Sequence, residues 1–596
     1  MANFLIKRLL QAIFVLFSVT LIVAFAIRLT GDPALMLTQG AGSISEADLV
    51  NIREALGINK SFTVQYIEFI QGLFSGDFGK SFMGGTPVSQ LIGISLPATL
   101  FLAFSVMIVS ILISIPLGIQ AAIKRNTWID QAIRIFSLIG LSFPNFWLAL
   151  MLVLLFSINL QWLPPSGMSD WSSFILPAVT MAIILTATNV RLVRTSMLET
   201  LQAQYIMVAR AKGLSENKVL YKHALRNCAI PLITYFGLQF GGLLGGIVII
   251  ERIFNWPGLG TLAFEAVSAR DYPVLQAVIT ILSMLIVGVN LLVDIAYGLI
   301  DPRIRNGVEN MLNVTVIFKR DYSLFKNLEF VLGFTLTATM CVLVLSSDVI
   351  FDGLADKVNL TARLIEPFSN SAHLLGTDPL GRDVLARVVA GGAVSLQVGF
   401  LSVFGAVILG VFMGLISGYF RGFWDIFVMR FADVQLALPF ILLAITFIAI
   451  VGGGLTNMIV LLIVSQWVQY ARLVRSSVLS LRDREYIQSA QAIGVSHFNI
   501  LFRHLLPNLI GPVIVLMTLN VANNILLESS LTFLGLGVDP LTPSWGGMLA
   551  NGRTYIQTAW WVTLFPGVAI LLTVLGMNLL GDWLRDTLDP TGRTSR

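Results

Sequence analysis

The sequence predicts an all-α polytopic membrane protein of about twelve transmembrane helices, arranged as two parallel six-helix repeats. Three observations carry that reading. The chain of 596 residues is 56% hydrophobic and only 12% charged, with a mean hydropathy of +0.83, more apolar surface than a soluble fold can bury. Long stretches carry no charge at all, and each is close to the roughly 20 apolar residues that one helical span needs. A basic, polar stretch is repeated 281 positions further on: without a gap, 17 of 41 aligned pairs are identical over 191–231 and 472–512, so the chain is a duplication.

The first-half spans are read at 9–27, 99–123, 135–157, 172–190, 230–250 and 274–293. The second-half runs are 330–347, 388–420, 434–471, 505–527 and 554–581. The run 434–471 is too long for one helix, and Val451-Gly-Gly-Gly-Leu-Thr-Asn457 interrupts it, so it is divided into two spans. The runs lack the alternation of a barrel strand. Lys7-Arg8 and Ala24-Phe25-Ala26 imitate a cleaved leader, but the apolar core between them is long, and it is read as a retained first helix.

Basic residues of short loops mark the cytoplasmic side. Lys7 and Arg8, Lys124, Arg125 and Arg134, and both repeated segments fall on one side when each half has six spans. The loop 29–95 on the other side is acidic, with Asp32, Glu46, Asp48, Glu54, Glu68 and Asp77 against Arg53, Lys60 and Lys80. Both termini and both repeats are therefore expected in the cytoplasm, with the halves parallel. Two such bundles suit a pseudo-two-fold axis along the membrane normal and a pathway between them. The domains are expected at 1–305 and 328–596, with 306–327 as a cytoplasmic linker.

The repeat holds Tyr205-Ile-x-x-Ala-x-Ala-x-Gly213 and Tyr486-Ile-x-x-Ala-x-Ala-x-Gly494, each followed by apolar residues at helical spacing. A short helix, a glycine-centred bend and a second short helix fit this pattern. The small residues Ala209, Ala211 and Gly213 are expected to allow close backbone approach, and the knob to dock in a groove of another protein. The plainer reading is a basic amphipathic segment lying on anionic headgroups. Positive charge alone does not explain the same alanine–glycine order twice.

This order resembles the EAA loop of permease subunits in ABC importers, although Val208 and Ser489 stand where the leading glutamate would be. Gly31-Asp-Pro-Ala34, Gly76-Asp-Phe-Gly-Lys-Ser-Phe82, Asn255-Trp-Pro-Gly-Leu-Gly260 and Asp301-Pro-Arg-Ile-Arg305 make the first half similar to the B-type permease subunit of the dipeptide, oligopeptide and nickel family. His373-Leu-Leu-Gly-Thr-Asp-Pro-Leu-Gly-Arg-Asp-Val-Leu385, Glu528-Ser-Ser-Leu-Thr-Phe-Leu-Gly-Leu-Gly-Val538 and Pro543-Ser-Trp-Gly546 make the second similar to the C-type. The resemblance implies a type I ABC importer permease with both subunits fused. It implies that Ala209, Ala211, Gly213 and Leu214, with Ala490, Ala492, Gly494 and Val495, couple to two ABC ATPase subunits or one fused pair. It also implies an extracytoplasmic substrate-binding protein and a bacterial or archaeal cytoplasmic membrane. The family carries dipeptides, oligopeptides, nickel chelates, glutathione, opines and some oligosaccharides.

Gly76-Asp-Phe-Gly79-Lys80-Ser81 imitates the end of a phosphate-binding loop, but Phe74 stands where its first glycine would be, so ATP and Mg are expected on partner subunits and no cofactor in this chain. His223, His373, His497 and His504 lack metal-ligand spacing, and His223 and His504 are expected to shape the docking loops. No catalytic arrangement and no nucleic-acid partner is indicated. Polar groups inside lipid are costly and usually functional. Gln239, Glu251, Asn520, Asn523, Asn524 and Glu528 are therefore candidates for the translocation path. The glutamates equally suit helix capping or pairing with neighbours such as Arg252, and the amides suit hydrogen bonding between helices. An ion-coupled secondary transporter of the parallel-repeat kind is the alternative from another class.

Overall fold

The computed structural model describes residues 2–38, 45–300 and 328–588. The expected linker 306–327, the Asp301–Arg305 motif and Asp589-Pro590 lie outside the described residues. Among the described residues ten helices are long and apolar enough to cross a membrane, or twelve with two bent pairs each taken as one span. Extended structure there is confined to two isolated bridges, Lys80 with Pro87 and Thr377 with Asp383.

The first-half helices are α1 (Ala2–Arg28), α2 (Phe62–Ser75), α3 (Val88–Ile123), α4 (Trp128–Ser142), α5 (Asn145–Leu152), α6 (Ile175–Leu201), α7 (Gln204–Ala211), α8 (Leu225–Gly246), α9 (Val248–Ile253), α10 (Leu259–Ser268) and α11 (Tyr272–Ile300). The second half supplies α12 (Leu328–Leu345), α13 (Val384–Phe420), α14 (Gly422–Ala437), α15 (Phe440–Val451), α16 (Leu455–Arg482), α17 (Glu485–Ala492), α18 (Leu506–Phe533), α19 (Trp545–Arg553) and α20 (Trp561–Leu588).

The third span of each half is not the straight run the sequence suggested. The helical stretches Trp128–Ser142 and Asn145–Asn159 meet at 102°, and α14 meets α15 at 93°. Pro144 and Pro439 sit at the two corners. A proline disfavours helical backbone in the residue before it and brings no N–H, so the chain leaves one helix and starts another. The glycine break at Gly452–Gly454, by contrast, falls where the sequence placed it, between α15 and α16.

The chain forms two compact units. One comprises 1–141, 155–308 and 434–452; the other comprises 142–154, 309–433 and 453–596. Each unit thus takes in one arm of the other half's bent span: α15 belongs to the first unit and α5 to the second.

Within each unit the second span packs along the fourth, α3 on α6 and α13 on α16. Small residues make the approach close. A Cβ on Gly118 would meet Val193 at 2.6 Å, and one on Gly414 would meet Val474 at 2.8 Å. An ion pair fixes the end of each pair of helices. Arg194 on α6 holds Asp130 in the first turn of α4 through two bonds of 2.7 and 2.8 Å. Arg475 on α16 holds Asp425 in the first turn of α14 through bonds of 2.5 and 2.8 Å. These are the last arginines of the duplicated Arg-Leu-Val-Arg, and the acids also sit favourably at helix N-termini.

Candidate functional site

The two repeated segments fold alike. In the first, α7 turns Ile206 and Ala209 inward, where both are buried. Lys212 then donates to the Val208 carbonyl (3.0 Å) and Gly213 to that of Arg210 (2.9 Å). In the second, Ile487 and Ala490 are the buried pair of α17. Ile493 donates to Ser489 (3.1 Å) and Gly494 to Gln491 (3.1 Å), the same pattern 281 residues on. Val219 and Leu220, or Ile500 and Leu501, are buried in the helical turn that follows. The expected helix, glycine bend and second helix are all present.

The glycine-centred bend has a backbone reason. No atom of this chain lies within 4 Å of a Cβ built on Gly213 or Gly494, so packing within the chain does not select them. Their backbones do: φ is +75° at Gly213 and +80° at Gly494, the left-handed conformation that closes a helix. Ala211 and Ala492 are exposed beside them, and Leu214 and Val495 are half-buried.

Both loops present apolar side chains outward. Met207 and Val208 are 57% and 53% exposed in the first; Ile493 and Phe498 are 80% and 67% exposed in the second. Their supports differ. In the first loop Arg210 pairs with Glu216 at 2.9 Å on the surface. In the second, the Tyr419 hydroxyl meets His497 Nδ1 at 2.8 Å and accepts from Gln491 at 3.4 Å, while Arg482 donates to the Tyr419 carbonyl at 2.7 Å. His497 is thus the histidine whose side chain shapes one of the two repeated loops. At His223 and His504, where that role was expected, the recorded bonds are to the backbone carbonyls, from Asn227 and Asn508.

The candidate path residues separate into distinct environments. Glu251 is fully buried in the first unit. It accepts from Thr99 Oγ1 at 2.6 Å, from the Gly260 amide at 2.7 Å and from the Thr261 amide at 3.2 Å. It therefore caps the N-terminus of α10. Its neighbour Arg252 instead faces Glu265 at 4.0 Å, so the expected pairing with Arg252 does not form. Trp256 donates to the Ala98 carbonyl at 3.0 Å, and Gly258 and Gly260 leave the space that the carboxylate fills. That accounts for the Asn255–Gly260 motif.

Glu528, also fully buried, accepts only from hydroxyls: Ser395 (2.7 Å), Thr532 (2.9 Å) and Ser529 (3.1 Å). The counterpart of Trp256 here is Trp545, whose indole donates to the Val388 carbonyl at 2.7 Å, and Ser544 caps the helix that follows. Asn524 donates to Ser402 at 2.6 Å and accepts from Gln466. Asn520 donates to Tyr470 at 2.9 Å. Both lie inside the packing of the second unit. Asn523, between them, is exposed. On α8, Gln239 keeps a buried Oε1 without a hydrogen-bond partner.

Sequence reading missed Thr99 and Ser395, Asp130 and Asp425, and Tyr419. The acids left a signal: one lone aspartate opens the third span of each half, beside a tryptophan, at Trp128-Ile-Asp130 and Trp424-Asp425. The hydroxyls left none, being ordinary residues within apolar runs.

A two-fold-repeated helical membrane bundle with paired, outward-facing loops has the architecture of a membrane transport component. The chain belongs to the family described as the binding-protein-dependent transport system inner membrane component, which matches residues 114–306 and again 407–593; the family's N-terminal part matches 1–103. Similar curated proteins include the glutathione transport system permease protein GsiC of Salmonella choleraesuis (strain SC-B67), of Salmonella typhi and of Escherichia coli (strain K12). Each is 40% identical over 307 residues, 51% of this chain and 99% of the relative. One whole relative thus corresponds to about half of this chain, and the family domain occurs twice: two ABC importer permease units are fused in one chain. Membership sets aside the ion-coupled alternative. It places the chain in a bacterial inner membrane, working with a substrate-binding protein and ATPase partners.

Proposed function

We propose that the chain forms the translocation pathway for small peptides, glutathione among them, and that the loops around Gly213 and Gly494 transmit the work of ATP hydrolysis. The supporting observation is the pair of loops. The same backbone pattern recurs at equivalent places, and each loop holds exposed apolar side chains that a water-facing loop has no reason to keep unless a partner covers them. The loops, both termini and the linker 306–327 between the halves 1–305 and 328–596 face the cytoplasm. ATP and Mg are bound by two ATPase subunits or one fused pair, and a binding protein delivers substrate at the opposite face. The different supports at Arg210–Glu216 and Tyr419–His497 favour two non-identical ATPase surfaces.

Asn523 belongs to the path on the strength of its exposure, because an exposed amide on a membrane helix is costly against lipid and favourable against water. Gln239, half-buried with its Oε1 buried and unpartnered, stands beside it as a candidate for the path. Glu251, Glu528, Asn520 and Asn524 act behind it by holding helices. The peptide reading rests on the relatives' glutathione transport; nickel chelates, opines and oligosaccharides are the other cargoes of this family. Uptake of radiolabelled glutathione and of tripeptides into cells carrying the whole system tests the proposal. Gly213→Arg and Gly494→Arg are expected to abolish uptake with membrane insertion intact. Normal uptake by the double variant would refute the coupling role.

A further inference from the structure

The Gly31-Asp-Pro motif has no part in the coupling loops or the path, yet it forms the wall of a cavity of about 460 Å³ in the first unit. The cavity lies where the span of α1 ends and that of α11 begins, with Arg28, Asp32, Arg53, Phe62, Gln65 and Tyr272 among its lining residues. Most of its charges are already paired. Arg53 holds Asp32 at 2.7 Å, and Lys60 holds Glu68 at 2.6 Å.

Arg28 is different. Its guanidinium lies 5.1 Å from the centre of the Phe62 ring and donates to the Gln65 oxygen at 3.0 and 2.6 Å and to the Ala24 carbonyl. All these partners are neutral. A guanidinium has five N–H donors, so two remain for the cavity. A second cation, Arg270, reaches the same place from behind: its guanidinium occupies the space that a side chain on Gly31 would need. Its own backbone is held at φ +52°, unusual for so large a residue. The acid next to it, Asp271, is turned to Ser81 at 2.5 Å. Neither Arg28 nor Arg270 has a carboxylate within ion-pair distance among the described residues. Tyr272 is bonded to the Gly31 carbonyl and feels the charges of Asp32, Arg270 and Arg28.

From this geometry we infer a binding site for a single oxyanion, a carboxylate or a phosphate, on Arg28 in this cavity, with Arg270 backing its Gly31 wall. Arg28, half-buried and bonded only to neutral partners, faces a cavity large enough for one small acid or one lipid headgroup; Arg270 adds a second positive charge behind its Gly31 wall, and the one acid of the lining, Asp32, is neutralised by Arg53. The planar donor fork of arginine suits both anions. The oxyanion comes either from a dissolved acid or from the phosphate of a surrounding acidic lipid. The site rests on the first unit alone and does not require the peptide reading.

The test uses the full chain in phosphatidylcholine nanodiscs. Binding of trialanine is compared with that of trialanine amide, and retention of phosphatidylglycerol over phosphatidylcholine is measured by native mass spectrometry. A preference for the free acid assigns the site to dissolved carboxylates; enrichment of phosphatidylglycerol assigns it to headgroups. Either preference should fall at least tenfold in Arg28→Gln/Arg270→Gln, the loss expected for one charge-assisted hydrogen bond. It should persist in Lys124→Gln, an exposed cation outside the cavity. A wild-type chain with neither preference overturns the inference without any variant. So does a folded double variant that keeps the preference.

Discussion

Glu251 and Glu528 stand at corresponding points of the repeat and are both fully buried, yet removing them should have unequal consequences. In Glu251→Ala, the Gly260 and Thr261 amides and the Thr99 hydroxyl lose their acceptor. The amides are fixed by the helix they begin, so they cannot turn elsewhere. A buried donor left unsatisfied costs about 1–3 kcal/mol, which puts the two amides at about 2–6 kcal/mol. In Glu528→Ala the three abandoned partners are hydroxyls. Hydroxyls rotate, and on a helix they can donate to a carbonyl one turn back, which reduces the loss to about 1 kcal/mol. The cavity left by the deleted side chain is the same in both and cancels. The expected gap is therefore about 1–5 kcal/mol, with Glu251→Ala the weaker protein. Thermal unfolding in detergent, followed with a thiol-reactive dye, reads this directly, since Cys228 is 1% exposed in the folded chain. Equal melting temperatures, or a lower one for Glu528→Ala, would refute the argument from fixed and rotatable donors.

Other consequences are open to similar tests. Gly213→Ala or Gly494→Ala meets no steric obstacle and costs only the left-handed backbone, about 1–2 kcal/mol; uptake should drop while the melting temperature barely moves. Arg194→Leu leaves Asp130, 1% exposed, without its partner and should destabilise by about 3–5 kcal/mol, whereas Asp130→Asn/Arg194→Leu should recover part of the loss in the same melting assay. Burial pushes the Cys228 thiol above its ordinary pKa, although the Thr200 hydrogen bond opposes this. Its contribution to stability is present below the unfolded thiol's pKa and declines as the pH rises past it, so melting temperatures taken from pH 7 to 10 should fall more in the wild type than in Cys228→Ser.

What was legible in the sequence follows from the range of the interactions involved. Apolar runs report a solvent, and a duplicated motif reports itself, so the helical bundle, the twofold repeat and the paired loops could be read from single stretches. The glycine break before α16 was legible for the same reason. The bends were not: Phe143-Pro144 and Leu438-Pro439 lie inside apolar runs, where length alone suggests a straight span, and only the packing of each arm shows the corner. The role of Glu251 depends on Thr99, 152 residues earlier, and on two amides of a helix whose position no local pattern specifies. The bends at Gly213 and Gly494 were legible from the glycines, but their left-handed backbone was not, because the letters Ala-x-Ala-x-Gly suit close contact as well as a left-handed turn.

The most direct test of the central claim is purification of the detergent-solubilised chain from its native membrane, with mass spectrometry and an ATPase assay on whatever remains bound. Two ATP-binding subunits, or one fused pair, should co-purify and should be lost when Gly213 and Gly494 are both replaced by arginine in a chain that still folds. A folded double variant that retains those subunits and their substrate-stimulated hydrolysis would contradict the claim.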